Sequence, residues 1–264
     1  MGRIGDKFAQ LKKESKKALI TFVTAADPSL DRTIELVKIM EKKGADIIEI
    51  GIPYSDPIAE GPVIQKANER ALKNNVKIVD IMNAVREMRK EVSVPLVFLL
   101  YYNCILQYGI KKFFNDCEKV GIDGLIIPDL PYEERDELDD FEKNIPIDII
   151  SMVSPTSENR IEKIARDAKG FLYCVSSLGV TGSRSSFDTN FEEFFKVIGR
   201  HKNIPTAIGF GISKPDHVRE LKKYTDAVIV GSAIVEKIEK GKNLDDVLNE
   251  VGDFVRVLRD ALDD

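Results

Sequence analysis

Eight short runs rich in β-branched and apolar residues, separated by charged amphipathic stretches, constrain the fold of this 264-residue chain more than any single motif. The runs are Ala18–Val23, Asp46–Gly51, Leu96–Leu100, Gly124–Pro128, Ile147–Val153, Phe171–Val175, Pro205–Gly209 and Ala227–Gly231. Between them, Ser29–Lys43, Ile78–Lys90, Ile110–Val120, Glu158–Ala168, Phe191–Gly199 and Pro215–Lys223 carry helical periodicity, with Ser29 as a natural N-cap and Gly44 as a stop. Strand alternating with helix implies parallel strands joined by right-handed crossovers. Eight repeats without a second compositional regime favour one closed (β/α)8 TIM barrel spanning 1–264 over an open doubly wound sheet. A helix ahead of the first strand, and split helical patterns over 62–91 and 233–262, are expected to cover the bottom or flank of that barrel.

Bulk properties narrow the partners. The net charge of −5 is spread through mixed Lys/Glu segments rather than gathered into a basic stripe, so nothing marks a nucleic-acid or anionic-membrane surface. Cys104, Cys117 and Cys174 lack both the close pairing of a zinc site and the even count of a secreted disulfide framework, which fits a reducing cytoplasm. The N-terminal stretch is charged, and no apolar run approaches the ~20 residues that span a bilayer.

Chemistry concentrates in DIIEIGIPYSDPIAEGPVIQ, residues 46–65. Side chains alternate along a strand, so if Ile48, Ile50 and Ile52 face the helices, then Ile47, Glu49 and Gly51 face the barrel interior. A carboxyl there is either paired with an interior cation or raised in pKa by desolvation toward values useful for proton transfer. No Lys or Arg lies within the eight strand cores, which weakens the first alternative. Asp56 and Glu60 sit in the Pro- and Gly-punctuated loop 53–62 at the C-terminal face, where such barrels build their sites; solvated surface charge is the plainer reading of both.

Two further loops follow the same logic. Gly209-Phe210-Gly211-Ile212-Ser213 follows the seventh run, and Gly231-Ser232-Ala233 follows the eighth and opens a helix. Glycines that let backbone N–H groups approach an oxyanion, beside a helix N-terminus, make a phosphate cradle; a tight turn requiring positive φ is the alternative. The segment SSLGVTGSRSSFDTN, residues 176–190, has the length and Gly/Ser content of a lid, or of a loop with no part in catalysis. His201 and His217 fall in or beside the outer helices, which gives no support to a metal site at the barrel top. No Walker loop, GxGxxG after a first strand or GxSxG elbow is present.

Seven separated motifs carry a resemblance to a known family. FVTAADP (Phe22–Pro28), EIGIPYSDPIAEGP (Glu49–Pro62), LLYYN (Leu99–Asn103), IIPDLP (Ile126–Pro131), SLGVTG (Ser177–Gly182), GFGIS (Gly209–Ser213) and GSAIV (Gly231–Val235) together resemble the α subunits of tryptophan synthase over essentially the full chain. The resemblance implies retro-aldol cleavage of indole-3-glycerol phosphate to indole and D-glyceraldehyde 3-phosphate, without metal or cofactor in this chain. It implies Glu49 as general acid/base, Glu60 as stabiliser of charge at the indole nitrogen, and Tyr173 as a hydrogen-bonding neighbour of the reacting groups. Phe22, Leu99, Tyr101, Ile126 and Phe210 would wall the indole ring, the backbone of Gly182, Gly211, Gly231 and Ser232 would hold the phosphate, and Thr181 would latch the closed lid. A pyridoxal-phosphate β subunit in an α2β2 heterotetramer would receive the indole, with Pro53, Asp56, Asp129 and Pro131 on the facing loops. The family pattern has Asp where this chain has Glu60, one methylene longer. Two rivals stay open: another phosphate-binding barrel, whose catalytic lysines or metal-binding His and Asp are missing, and a chemically feeble subunit that mainly activates β.

Overall fold

A computed structural model describes residues 2–175, 191–201, 204–209, 211–241 and 243–264. Its first elements are helix α1 (Arg3–Lys13), strand β1 (Ala18–Thr24), α2 (Leu30–Lys42), β2 (Ile47–Gly51), α3 (Pro62–Leu72), α4 (Ile78–Met88), β3 (Leu96–Leu99), α5 (Tyr102–Tyr108), α6 (Ile110–Val120) and β4 (Gly124–Ile126). They are followed by α7 (Asp136–Asn144), β5 (Asp148–Ile149), β6 (Ser151–Val153), α8 (Glu158–Asp167), β7 (Leu172–Val175) and α9 (Phe191–His201). The chain ends with β8 (Thr206–Gly209), α10 (Pro215–Leu221), β9 (Ala227–Val230), α11 (Ser232–Lys240) and α12 (Leu244–Asp263).

Among the described residues the strands form one parallel sheet in the order β5-β4-β3-β2-β1-β9-β8-β7-β6. Its two outermost members, β5 and β6, are consecutive in the chain, so the sheet curls round into a nearly closed barrel. The expected fifth strand, Ile147–Val153, therefore arrives as two pieces. Up to Ile150, whose N–H donates to Leu125 O at 2.8 Å, the chain pairs with β4; from Ser151 onward it pairs with β7. One strand changes partner midway to close the ring.

Alternation along the strands sorts the apolar side chains into two shells. Leu19, Val23, Ile48, Ile50, Phe98 and Leu125 face outward into the layer shared with the helices, while Ala18, Ile20, Ile47, Val97 and Ala227 fill the barrel interior. Ile4, Phe8 and Leu11 of α1 join the interior group, with the Phe8 and Phe171 rings 6.0 Å apart. These contacts lie at the N-terminal ends of the strands, so α1 plugs the bottom of the barrel and leaves the top for a ligand. Asp123, 6% exposed, ties the plug down by accepting from Arg3 at 2.7 Å, Arg89 at 2.5 Å and Leu96 N at 2.9 Å.

Local signals behave as the sequence suggests. Arg32 N donates to Ser29 Oγ at 3.3 Å, capping α2, and Pro62 and Pro215 open α3 and α10, where a missing N–H is harmless. The 62–91 and 233–262 regions resolve into α3 with α4 and α11 with α12. Helix α5 has no counterpart in the expected elements: its N-terminus is held from a distance, Tyr102 N donating to both Asp129 carboxylate oxygens at 2.9 and 3.1 Å. No helix among the described residues is long and apolar enough to cross a membrane.

Candidate active site

Glu49 occupies the middle of β2, in register with Phe22 of β1 on one side and Val97 of β3 on the other. Its neighbours Ile48 and Ile50 belong to the outer layer, so the period of two turns Glu49 into the barrel, where it is 1% exposed. Among the described residues no cation pairs with it, and its Oε1 has no hydrogen-bond partner. Burial alone pushes its carboxyl up to about 8. A carboxyl in that state is protonated at neutral pH yet close enough to its titration point to act as acid and then as base.

Tyr173, on β7 across the interior, is 5% exposed, and desolvation together with the Glu49 charge holds its phenol well above the usual range. The Cζ–Cε2 edge of the Phe22 ring closes on the end of β2. Gly51 permits this, because a Cβ at that position would stand 2.6 Å from Phe22 Cζ.

The loop between β2 and α3 brings in the second carboxylate. Glu60 is 6% exposed, its pKa raised by desolvation against the opposing pull of a hydrogen bond from the Tyr101 hydroxyl to Oε2. The same hydroxyl accepts from Ile58 N and Ala59 N, each at 2.9 Å, and Gln65 Nε2 donates to Glu60 O at 2.9 Å. Helix α3 then runs beside the site, its Ile64 and Ala67 packing with Phe22 and with Val235 of α11.

One cleft at the barrel top collects Glu49, Glu60, Tyr173, Phe22, Leu99, Gly211, Gly231 and Ser232. Carboxylates and apolar walls thus share a space with the loops after β8 and β9. Gly211 sits at φ +78, in keeping with a tight turn, and Ser232 begins α11, where Gly231 O accepts from Ile234 N at 2.8 Å and from Val235 N at 3.1 Å, while the N–H groups of Ser232 and Ala233 lie too early in the helix for an intrahelical carbonyl. Tyr101 and Ile126 are not on the cleft wall: Tyr101 stands behind the loop, and Ile126 is fully buried in the interior group beneath. Thr181, Gly182 and Phe210 lie outside the described residues. Ala59, Ile64, Pro128, Met152, Ile212 and Ile229 also line the cleft without having been singled out in the sequence. For Ile229 the signal was available, since Val228 and Val230 pack outward on either side of it.

The loops expected to meet a partner are on the same face. Pro53 is buried, Asp56 and Pro131 are exposed, and Asp129 is half-buried with its carboxylate engaged on α5. Ile58 beside them is 73% exposed, an apolar side chain left in solvent on the rim of the site. His217, on α10, accepts from Ser213 N at 3.4 Å and sits away from the cleft wall.

Similarity to known proteins agrees with this geometry. Residues 8–262 match the family described as tryptophan synthase alpha chain. A tryptophan synthase alpha chain of Thermoanaerobacter pseudethanolicus is 51% identical over 262 residues, covering 99% of this chain and 100% of the relative. The crystal structure of tryptophan synthase subunit alpha from Legionella pneumophila superposes with a TM-score of 0.89 at 34% identity, covering 100% of this chain and 99% of that one. A chain of Mycobacterium tuberculosis tryptophan synthase superposes at 0.90 with 30% identity, covering 99% and 98%. The chain belongs to the tryptophan synthase alpha family.

Proposed function

We propose that Glu49 and Glu60 carry out, in this chain, the reaction of its family: retro-aldol cleavage of indole-3-glycerol phosphate to indole and D-glyceraldehyde 3-phosphate. The observation that carries the reading is Glu49 itself, a carboxyl sealed in an apolar barrel without a cation and held near pKa 8. Indole is a poor carbanion leaving group. Protonation at C3 by Glu49 converts it to the indolenine, whose ring nitrogen accepts the electron pair of the breaking carbon–carbon bond. The Glu49 carboxylate then takes the proton of the adjacent side-chain hydroxyl as the aldehyde forms, which returns Glu49 to its starting state. Glu60 accepts a hydrogen bond from N1–H, and that bond strengthens as positive charge builds there.

Binding follows from the same cleft. Phe22 and Leu99 face the indole ring, Tyr173 lies beside the reacting carbons, and the backbone at Gly211, Gly231 and Ser232 meets the phosphate with the dipole of α11 behind it. Thr181, Gly182 and Phe210 take their places by family resemblance, as lid latch, phosphate donor and ring wall. The whole chain works as one domain, in the cytoplasm, and needs no cofactor of its own; pyridoxal phosphate belongs to a β subunit that receives the indole in an α2β2 assembly, across Pro53, Asp56, Asp129 and Pro131. The test is indole release from indole-3-glycerol phosphate by the purified chain, alone and with a β subunit. Slow release that rises with β is expected; no release with a demonstrably bound β would leave a binding subunit on the same barrel.

A further inference from the structure

We propose that Tyr101 is a positioning residue: its hydroxyl locks the loop 58–60 and aims the Glu60 carboxylate into the cleft. The inference rests on the role given to Glu60 above. A phenol hydroxyl has one proton to donate and two lone pairs with which to accept. Here both lone pairs are taken by the N–H groups of Ile58 and Ala59, so the proton goes to Glu60 Oε2. Three bonds from one atom fix two backbone units and the side chain that follows them, and every bond spans more than 40 residues of sequence.

The tyrosine is itself held on all sides. Its side chain is 3% exposed, its ring stacks on Tyr54 with centroids 4.8 Å apart and planes 24° from parallel, and its backbone precedes α5, which Asp129 caps. Tyr54 and Asp129 belong to the exposed loops of the top face, while Glu60 lines the cleft. Tyr101 therefore joins the outer rim of the site to a reacting carboxylate. The longer arm of Glu60 suits this hub, because it lets the carboxylate reach back to the phenol from the loop and still border the cleft.

The experiment compares Y101F, E60Q and the Y101F/E60Q double variant in the complex with a β subunit, by kcat, KM and the pH profile of indole release, with circular dichroism and thermal melting as a check on folding. Y101F is expected to lower kcat about 10- to 100-fold with KM changed less than about threefold. The lost hydrogen bond favoured the ionised carboxylate, so the acid limb of the profile is expected to move to higher pH. In the E60Q background the same change is expected to have almost no further effect on kcat. Additive losses in the double variant, or a Y101F enzyme with unchanged kcat and an unmoved acid limb, would overturn the inference while leaving the lyase reading intact. An unimpaired E60Q would remove both the role of Glu60 and that of Tyr101. A melting loss in Y101F without the pH shift would reduce the tyrosine to a structural residue.

Discussion

Replacing Glu49 with Gln should make the protein more stable, and increasingly so as pH rises. The folded chain holds the Glu49 carboxyl up to about 8 through burial, against 4.5 for a free side chain. Between those two values the unfolded chain has released this proton and the folded chain keeps it. The folded state therefore binds more protons, and its stability falls as pH increases through the window. At about 1.4 kcal/mol per unit, the penalty accumulated by pH 7 is about 3 kcal/mol. The amide of the E49Q variant carries no such penalty and keeps nearly the same shape. Urea unfolding of the isolated chain and of E49Q at pH 5, 6, 7 and 8 reads the difference directly: it should widen in favour of E49Q by about 2 kcal/mol between pH 5 and pH 7 and by about 1 more between pH 7 and pH 8, where Glu49 of the folded chain begins to titrate. Curves that stay parallel across the series would refute the argument, since they would mean that Glu49 ionises in the folded chain as it does in water.

Other consequences are as accessible. If the neutral Glu49 starts the reaction, kcat/KM falls above about pH 8, and a rate profile flat to pH 9 would contradict this. Gly211→Ala puts a Cβ at φ +78, which costs about 1–2 kcal/mol; we expect KM for the phosphate-bearing substrate to rise more than kcat falls, and steady-state kinetics decide it. Asp123→Asn leaves Arg89, 12% exposed, without its buried counter-charge and loosens the plug made by α1; chemical denaturation should show a loss of about 3–5 kcal/mol.

The barrel was legible because its signals are periodic. Ile48 and Ile50 on one face of β2, with Ile52 just beyond its end, leave Glu49 only the interior, and no partner elsewhere in the chain can reverse that register without exposing the isoleucines. What escaped the sequence depends on distant partners. Helix α5 is short and rich in aromatic residues, and its N-terminus is held by Asp129, 27 positions away. The break at Ile150 exists only because the sheet closes, so a strand read in isolation looks continuous. Tyr101 looks like a pocket wall from its place after β3, yet its hydroxyl is drawn to loop amides 43 and 42 positions away. Ile126 sits too deep, and Pro128, two residues on, reaches the cleft instead. Thr181, Gly182 and Phe210 rest on the family resemblance.

The central claim is that a buried, neutral Glu49 moves the protons of the carbon–carbon cleavage and does little for binding. The direct measurement pairs equilibrium binding of indole-3-glycerol phosphate with single-turnover cleavage, for the parent chain and E49Q, each in complex with a β subunit. We expect binding within about threefold of the parent and cleavage slower by about 10²- to 10⁴-fold. Cleavage by E49Q within tenfold of the parent at equal occupancy would contradict the account and move the proton chemistry to another residue of the cleft.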